Sequence, residues 1–262
     1  MIMAGIDHYP YRMPRTGVTA NGGMGSAMDD GSRYDWSVQV EQAFTMSRLR
    51  HHRRRAAEAG EDMLAAFDSY VRAGESHDVY GHRARTAVIS LGLEQDYINI
   101  EEARALLQRE AQIWRGDDYA LAVLKDLAAL DQADDDKVGA IHTFGTIMDR
   151  FPDSAEAAMA RQKARSLIAE VYEAGATGKM PLGAFLQAHR IISPDFRFES
   201  GFDAQAERFA NRFLAVGSTL VAAQEYEAVH DYLAVARDLG LAEVRDQRLD
   251  ELRLKQARAL TM

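Results

Sequence analysis

The stretch that decides the fold is residues 117–154, DDYALAVLKDLAALDQADDDKVGAIHTFGTIMDRFPDS. Apolar residues recur at helical spacing on both sides of Asp134-Asp135-Asp136, so two amphipathic helices flank an acidic turn. A helical hairpin is the expected result. Ala128 and Ala140 are small enough for antiparallel helices to approach closely, Phe144 fills the space they leave, and Pro152 stops the second helix.

Within this hairpin, Leu124-x2-Leu127-Ala128, then Ala140-x3-Phe144 and Pro152, resembles the tetratricopeptide-repeat signature W-x2-L-G-x2-Y…A-x3-F…P. Leu124 stands at the family's aromatic first position and Asp131 at its tyrosine. A second echo follows in Phe213-x2-Val216-Gly217-x2-Leu220 and Ala228-x3-Tyr232, with Gly240 where the proline would stand. Ala140 and Ala228 are 88 residues apart, which is not a multiple of the family's period of about 34. The resemblance, over 117–153 and 203–240, therefore implies irregular stacked helical pairs that offer a surface to another protein.

Toward the N-terminus the pattern changes. Residues 1–36 are rich in glycine and methionine, lack an apolar period, and contain the turn formers Asn21-Gly22-Gly23 and Asp30-Gly31-Ser32. We read them as an extended or disordered, flexible arm: either a solvated tail or, since Tyr9, Tyr11, Tyr34 and Trp36 make it more aromatic than solvation requires, a segment that docks on a neighbour. From Ser37, a candidate N-cap, a helical pattern carrying Leu49, Ala56, Met63 and Tyr70 extends to Val71, interrupted by Gly60. Arg48, Arg50, Arg53, Arg54 and Arg55, with His51 and His52, crowd into eight positions of it. On a helix these side chains cover most of the circumference, so several must face solvent or an acidic partner. The cluster reads as a solvated face, a dock for an acidic protein surface including another copy of this chain, or a phosphate contact to nucleic acid.

The remaining helices follow from local signals. One is expected from Ser76 or His77 to Leu91, with Val79, Tyr80, Ala87, Val88 and Leu91 on one face and Gly92 past its end. Asn99-x-x-Glu102 is a capping-box variant opening a helix striped with Ala103, Leu106, Leu107, Ile113 and Trp114. Beyond Pro152, Ser154 caps a helix to Tyr172, and Pro181 starts another that ends near Ile192, with Ser193-Pro194 as its stop. Phe196, Phe198 and Phe202 imply that the next connection packs. Helices over 202–222, 225–239 and 241–260 complete the chain, the last using Val244, Leu249, Leu252, Ala257 and Leu260. The expected organisation is an arm (1–36), a helical region with the basic cluster (37–116) and a tetratricopeptide-like region (117–262). The fold class is all-α, an array of about ten antiparallel helices.

Composition narrows the function. The 262 residues carry a formal charge of −9. The first 90 residues balance 11 arginines against 11 acids, so the acidic surplus lies wholly downstream. With no cysteine there is no thiolate chemistry and no cysteine-ligated zinc. No apolar run reaches the length of a membrane span, and Met1 to Arg15 lacks the order of a secretory signal, so the expected location is the cytoplasm.

An EF-hand reading starts at Asp131 and Asp135 but fails on Ala133, Asp136 and His142, which replace its third ligand, its glycine and its terminal glutamate. The helix dipole is the better account of the three aspartates. His77 and His82 fall on different helix faces, and His142, His189 and His230 stand singly beside apolar stripes. There is no G-x-S-x-G elbow, phosphate loop or dinucleotide fingerprint. The sequence thus points to a non-enzymatic interaction scaffold with a protein partner and no cofactor. The alternative is a structural component of a homo-oligomer or larger assembly, whose arm and Arg48–Arg55 segment meet neighbouring subunits or nucleic acid.

Overall fold

The computed structural model describes residues 61–76, 78–113, 116 and 118–262. Among them are ten helices and no strand, so the fold is all-α. None of these helices is long and apolar enough to cross a membrane. The chain divides into two compact units between Ala84 and Arg85. The arm, most of the helix expected from Ser37, and Arg48 to Arg55 lie outside the described residues.

The first unit contains α1 (Glu61–Ala73) and the opening of α2 (Val79–Glu94). Phe67 of α1 is buried. The cap of α2 is Asp78, whose Oδ1 accepts from the N–H groups of Tyr80 at 3.0 Å and Gly81 at 2.9 Å. The Gly81 contact holds this carboxyl below its usual value. Tyr80, expected on the apolar face, is 62% exposed, because the buried face begins one position later with Gly81 and His82.

In the second unit α2 continues past Gly92 to Glu94, three residues beyond its expected end. Arg85 and Glu110 form a buried ion pair at 2.7 Å, and Val88 is fully buried. The capping box of α3 (Ile100–Ile113) is reciprocal: Asn99 N–H donates to Glu102 Oε2 at 2.9 Å and Glu102 N–H to Asn99 Oδ1 at 2.8 Å. Its stripe holds through Ala103, Leu106, Leu107 and Ala111 but ends before Ile113, which is exposed.

The hairpin forms as α4 (Asp118–Ala133) and α5 (Lys137–Arg150). Ala128, Ala140 and Phe144 are all buried in it. Asp136 caps α5 by accepting from Gly139 N–H at 2.9 Å. Asp131, also buried, and Asp134 accept from Arg104 of α3 at 2.7 and 2.6 Å. Burial pushes the Asp131 carboxyl up, and Arg104 offsets only part of this. Asp135 remains exposed at the tip of the turn, where Lys137 approaches to 3.7 Å.

Ser154 caps α6 (Ala155–Thr177), which runs a turn past the expected Tyr172 before Gly178 closes it. α7 (Leu182–Phe196) continues through Ser193-Pro194. Proline forfeits only the hydrogen bond back to exposed Arg190, while the added residues bury Phe196. The segment expected as one helix over 202–222 is broken at Gly217, into α8 (Phe202–Ala215) and α9 (Thr219–Asp238). Gly217 has φ +81°. Its N–H donates to Leu214 and that of Ser218 to Phe213, which is the Schellman closure of a helix. The first-helix half of the later repeat echo, Phe213 to Leu220, therefore straddles a turn. α9 ends in the same closure at Gly240, after which 241–245 is non-helical and α10 (Asp246–Thr261) begins. Leu249 and Leu252 of α10 are buried as expected, whereas Ala257 and Leu260 are exposed.

Neighbouring helices pack from α3 to α10, and α5 also meets α7 while α6 meets α8. Two glycines set the closest approaches to α7. A methyl at Gly175 of α6 would lie 2.3 Å from the Phe185 ring, and one at Gly145 of α5 would lie 2.8 Å from Asp195 Oδ2. Neither is tolerable without movement.

Candidate cleft at the end of helix nine

Two regions of the second unit bring polar and aromatic side chains together. The first is a closed network. Tyr172, fully buried, shares a 2.8 Å hydrogen bond with His189 Nδ1, and His189 Nε2 lies 3.0 Å from Glu225 Oε2. The imidazole stacks on Phe209 with centroids 3.9 Å apart, while Phe185 and Phe202 meet the Tyr172 ring edge-on. Burial drives the Tyr172 hydroxyl far above its usual value, so it stays protonated. Chemically this chain of groups resembles a proton relay. Only 5% of His189 meets solvent, however, and neither of the concavities described below is lined by any of the three groups. Its role is to satisfy polar groups inside an aromatic core.

The second region is open. A cleft of ≈ 740 Å³ lies between the 197–201 connection, the end of α9, the 241–245 segment and the first turns of α10. Leu233 and Ala236 form its buried floor, and Phe198, Tyr232 and Leu241 its apolar walls. Phe198 meets Tyr232 edge-to-face at 5.6 Å yet remains 69% exposed. Leu239 and Leu241, on either side of Gly240, are 67% and 71% exposed. In a Schellman closure the residue at the Leu241 position ordinarily packs back on the helix. Here it stands in water instead. A second concavity of ≈ 530 Å³ on the same segment is lined by Arg237, Gly240 and residues 241–245, so 241–245 forms a ridge between two hollows.

Most charges around the cleft are already answered. Arg248 reaches Glu207 at 2.6 Å and Asp203 at 3.3 Å, and Lys255 also donates to Glu207. Burial pushes the Glu207 carboxyl up, but the hydrogen bonds from Lys255 and Arg248 outweigh it and hold the group below its usual value. Arg237 pairs with Asp246 at 2.7 Å. Arg253 donates to His230 Nε2 at 2.9 Å, which leaves the ring proton on Nδ1 for Asp231. Burial and the nearby Asp203 charge both raise the Tyr232 hydroxyl. Glu243, Arg245 and Glu251 line the cleft and are exposed, and of these Glu251 accepts one bond, from Gln247 at 3.1 Å.

Arg48, Arg50, Arg53, Arg54 and Arg55 lie outside the described residues, as do His77 and Trp114. His82 and His230 are buried, and exposed His142 sits 3.1 Å from Asp195. Asp131 is turned to Arg104, and among the described residues no group of three or more His, Cys, Asp or Glu is arranged to hold a metal ion. The expectation that 195–201 packs is met by Phe196 and fails at Phe198. The signal in the sequence was a leucine on each side of the glycine that ends α9, where one helix cannot cover both. No protein-family model, curated protein or solved structure matches the chain.

Proposed function

We propose that this protein is a non-enzymatic interaction module of tetratricopeptide-like build, which docks a segment of a protein partner in the cleft beside Phe198. The observation that carries this reading is the exposure of Phe198 and Leu241 around one concave site. Leaving these two large apolar side chains in water forgoes roughly 1.5–3 kcal/mol each, a sacrifice that a bound partner recovers. The paired ionic groups on the rim suit the same reading, since binding need not desolvate them singly. Support for the repeat-like build comes from the buried Ala128, Ala140 and Phe144 and from packing between next-but-one helices. Cytoplasmic location belongs to the same proposal.

The test is capture from a lysate of the protein's own source by immobilised full-length chain, with nuclease, at low and moderate salt. A Phe198→Ala/Leu241→Ser variant of unchanged helical content serves as the control surface. A protein retained by the wild type and lost by the variant supports the cleft. Capture indifferent to the double substitution overturns it, and capture abolished by nuclease or salt moves the function to Arg48 through Arg55 in an assembly or on nucleic acid.

A further inference from the structure

We propose that the occupant of the cleft is the segment Asp7 to Arg15 of a second copy of this chain. The inference rests on the reading of the cleft as a protein-docking surface and names its partner. The cleft asks for apolar and aromatic anchors against Phe198, Tyr232 and Leu241, and for charges that answer Glu243, Glu251 and Arg245. The segment reads Asp7-His8-Tyr9-Pro10-Tyr11-Arg12-Met13-Pro14-Arg15. It supplies two arginines and one aspartate for two glutamates and one arginine.

Prolines at 10 and 14 fix their own φ and turn Tyr9 and Met13 away from helical backbone, which lowers the entropy lost on docking an extended chain. In an extended backbone Tyr9, Tyr11 and Met13 fall on one side. Proline-bearing segments of this kind dock on aromatic-lined grooves, and arginine adds attraction to an exposed ring face. Because both halves of the contact belong to one sequence, a solution of this protein alone contains everything the contact needs. Segment and cleft are different surfaces, so the pairing is heterologous, and each copy offers one of each.

The experiment follows the full-length chain by sedimentation over a range of concentrations, with and without an excess of synthetic peptide covering Asp7 to Arg15. Concentration-dependent self-association is expected, and the peptide returns the protein to monomer. Tyr9→Ser/Tyr11→Ser and Phe198→Ala variants, each of wild-type helical content, self-associate at least tenfold more weakly. Mixed together they form heterodimers, since one retains an intact cleft and the other an intact segment. A chain that stays monomeric at all concentrations, association that the peptide does not disturb, or variants that associate like the wild type overturns the proposal. If lysate capture still depends on Phe198 while the chain is monomeric, this inference alone falls. If neither depends on Phe198, the docking reading falls with it.

Discussion

The Tyr172 network and the Phe198 cleft are built from overlapping helices, yet they treat the same kinds of side chain in opposite ways. Around Tyr172, each ring is covered and each polar group in the chain has a partner on another helix. Around Phe198, an aromatic pair forms at a similar centroid separation but its outer ring stays in water, beside Glu243 and Arg245, which no neighbour answers. Completed contacts mark a region whose task ends with folding. Incomplete ones, gathered in one concave place, are what the docking proposal rests on.

The sharpest way to break this contrast is to damage the closed region. Phe185→Ala removes a fully buried ring that touches Tyr172, Phe209 and Phe213. It is expected to cost about 3–5 kcal/mol, read as a lower urea midpoint. Phe198→Ala should do the reverse: stability changes by no more than about 1 kcal/mol, the worth of one edge-to-face pair, while partner affinity falls by about 2 kcal/mol or more in a binding titration. If Phe198→Ala unfolds the protein as Phe185→Ala does, the two regions are not different in kind.

A smaller effect separates a satisfied polar group from an orphaned one. Glu225→Leu leaves His189 Nε2 unanswered and is expected to cost about 1–3 kcal/mol. Removing the whole chain of groups with Tyr172→Phe/His189→Leu/Glu225→Leu should recover part of that loss, which chemical denaturation of the wild type, the single variant and the triple variant measures. A triple variant weaker than the single one would show that the network adds stability of its own.

Asp126 is the exception that sharpens the rule. This half-covered carboxyl on α4 has no hydrogen-bond partner, and burial pushes it up to about 6, against a small opposing pull from Lys125. Its folded-state value lies above the unfolded one, so the native state holds a proton that the unfolded chain releases. Stability from this group is therefore lost as pH rises from about 4 to 6. Asp126→Asn should stabilise the protein at pH 7 by about 1–2 kcal/mol, allowing for partial solvent screening, with little effect at pH 4. An equal shift at both values would remove burial as the cause.

Much of the closed architecture was legible in the sequence because it rests on local rules. Asn99 with Glu102, Ser154 before α6, Pro152 after α5 and Gly240 after α9 each act within a turn of their own position. Gly217 escaped because apolar spacing continues from Phe213 to Leu220 across it, and only its backbone angle reveals the break. Pro194 misled in the other direction, since a proline near a helix end loses one solvent-facing bond and no more. The Tyr172 network was hidden because its members lie on three helices. The cleft was harder to read because exposure is decided by what fails to pack, and its one local trace is the pair of leucines flanking Gly240.

The two tight glycines have a mechanical consequence. Gly175 seats the first turn of α7 at Phe185 and Gly145 seats its last turn at Asp195, so the rod is clamped at both ends. A rod held at two points can neither slide along its axis nor swing about one of them. Phe198 projects just three residues beyond the second clamp, a short cantilever on a fixed support. One jaw of the cleft is thereby stationary, and under the proposed docking any adjustment to a guest comes from the opposite jaw, the ridge at 241–245.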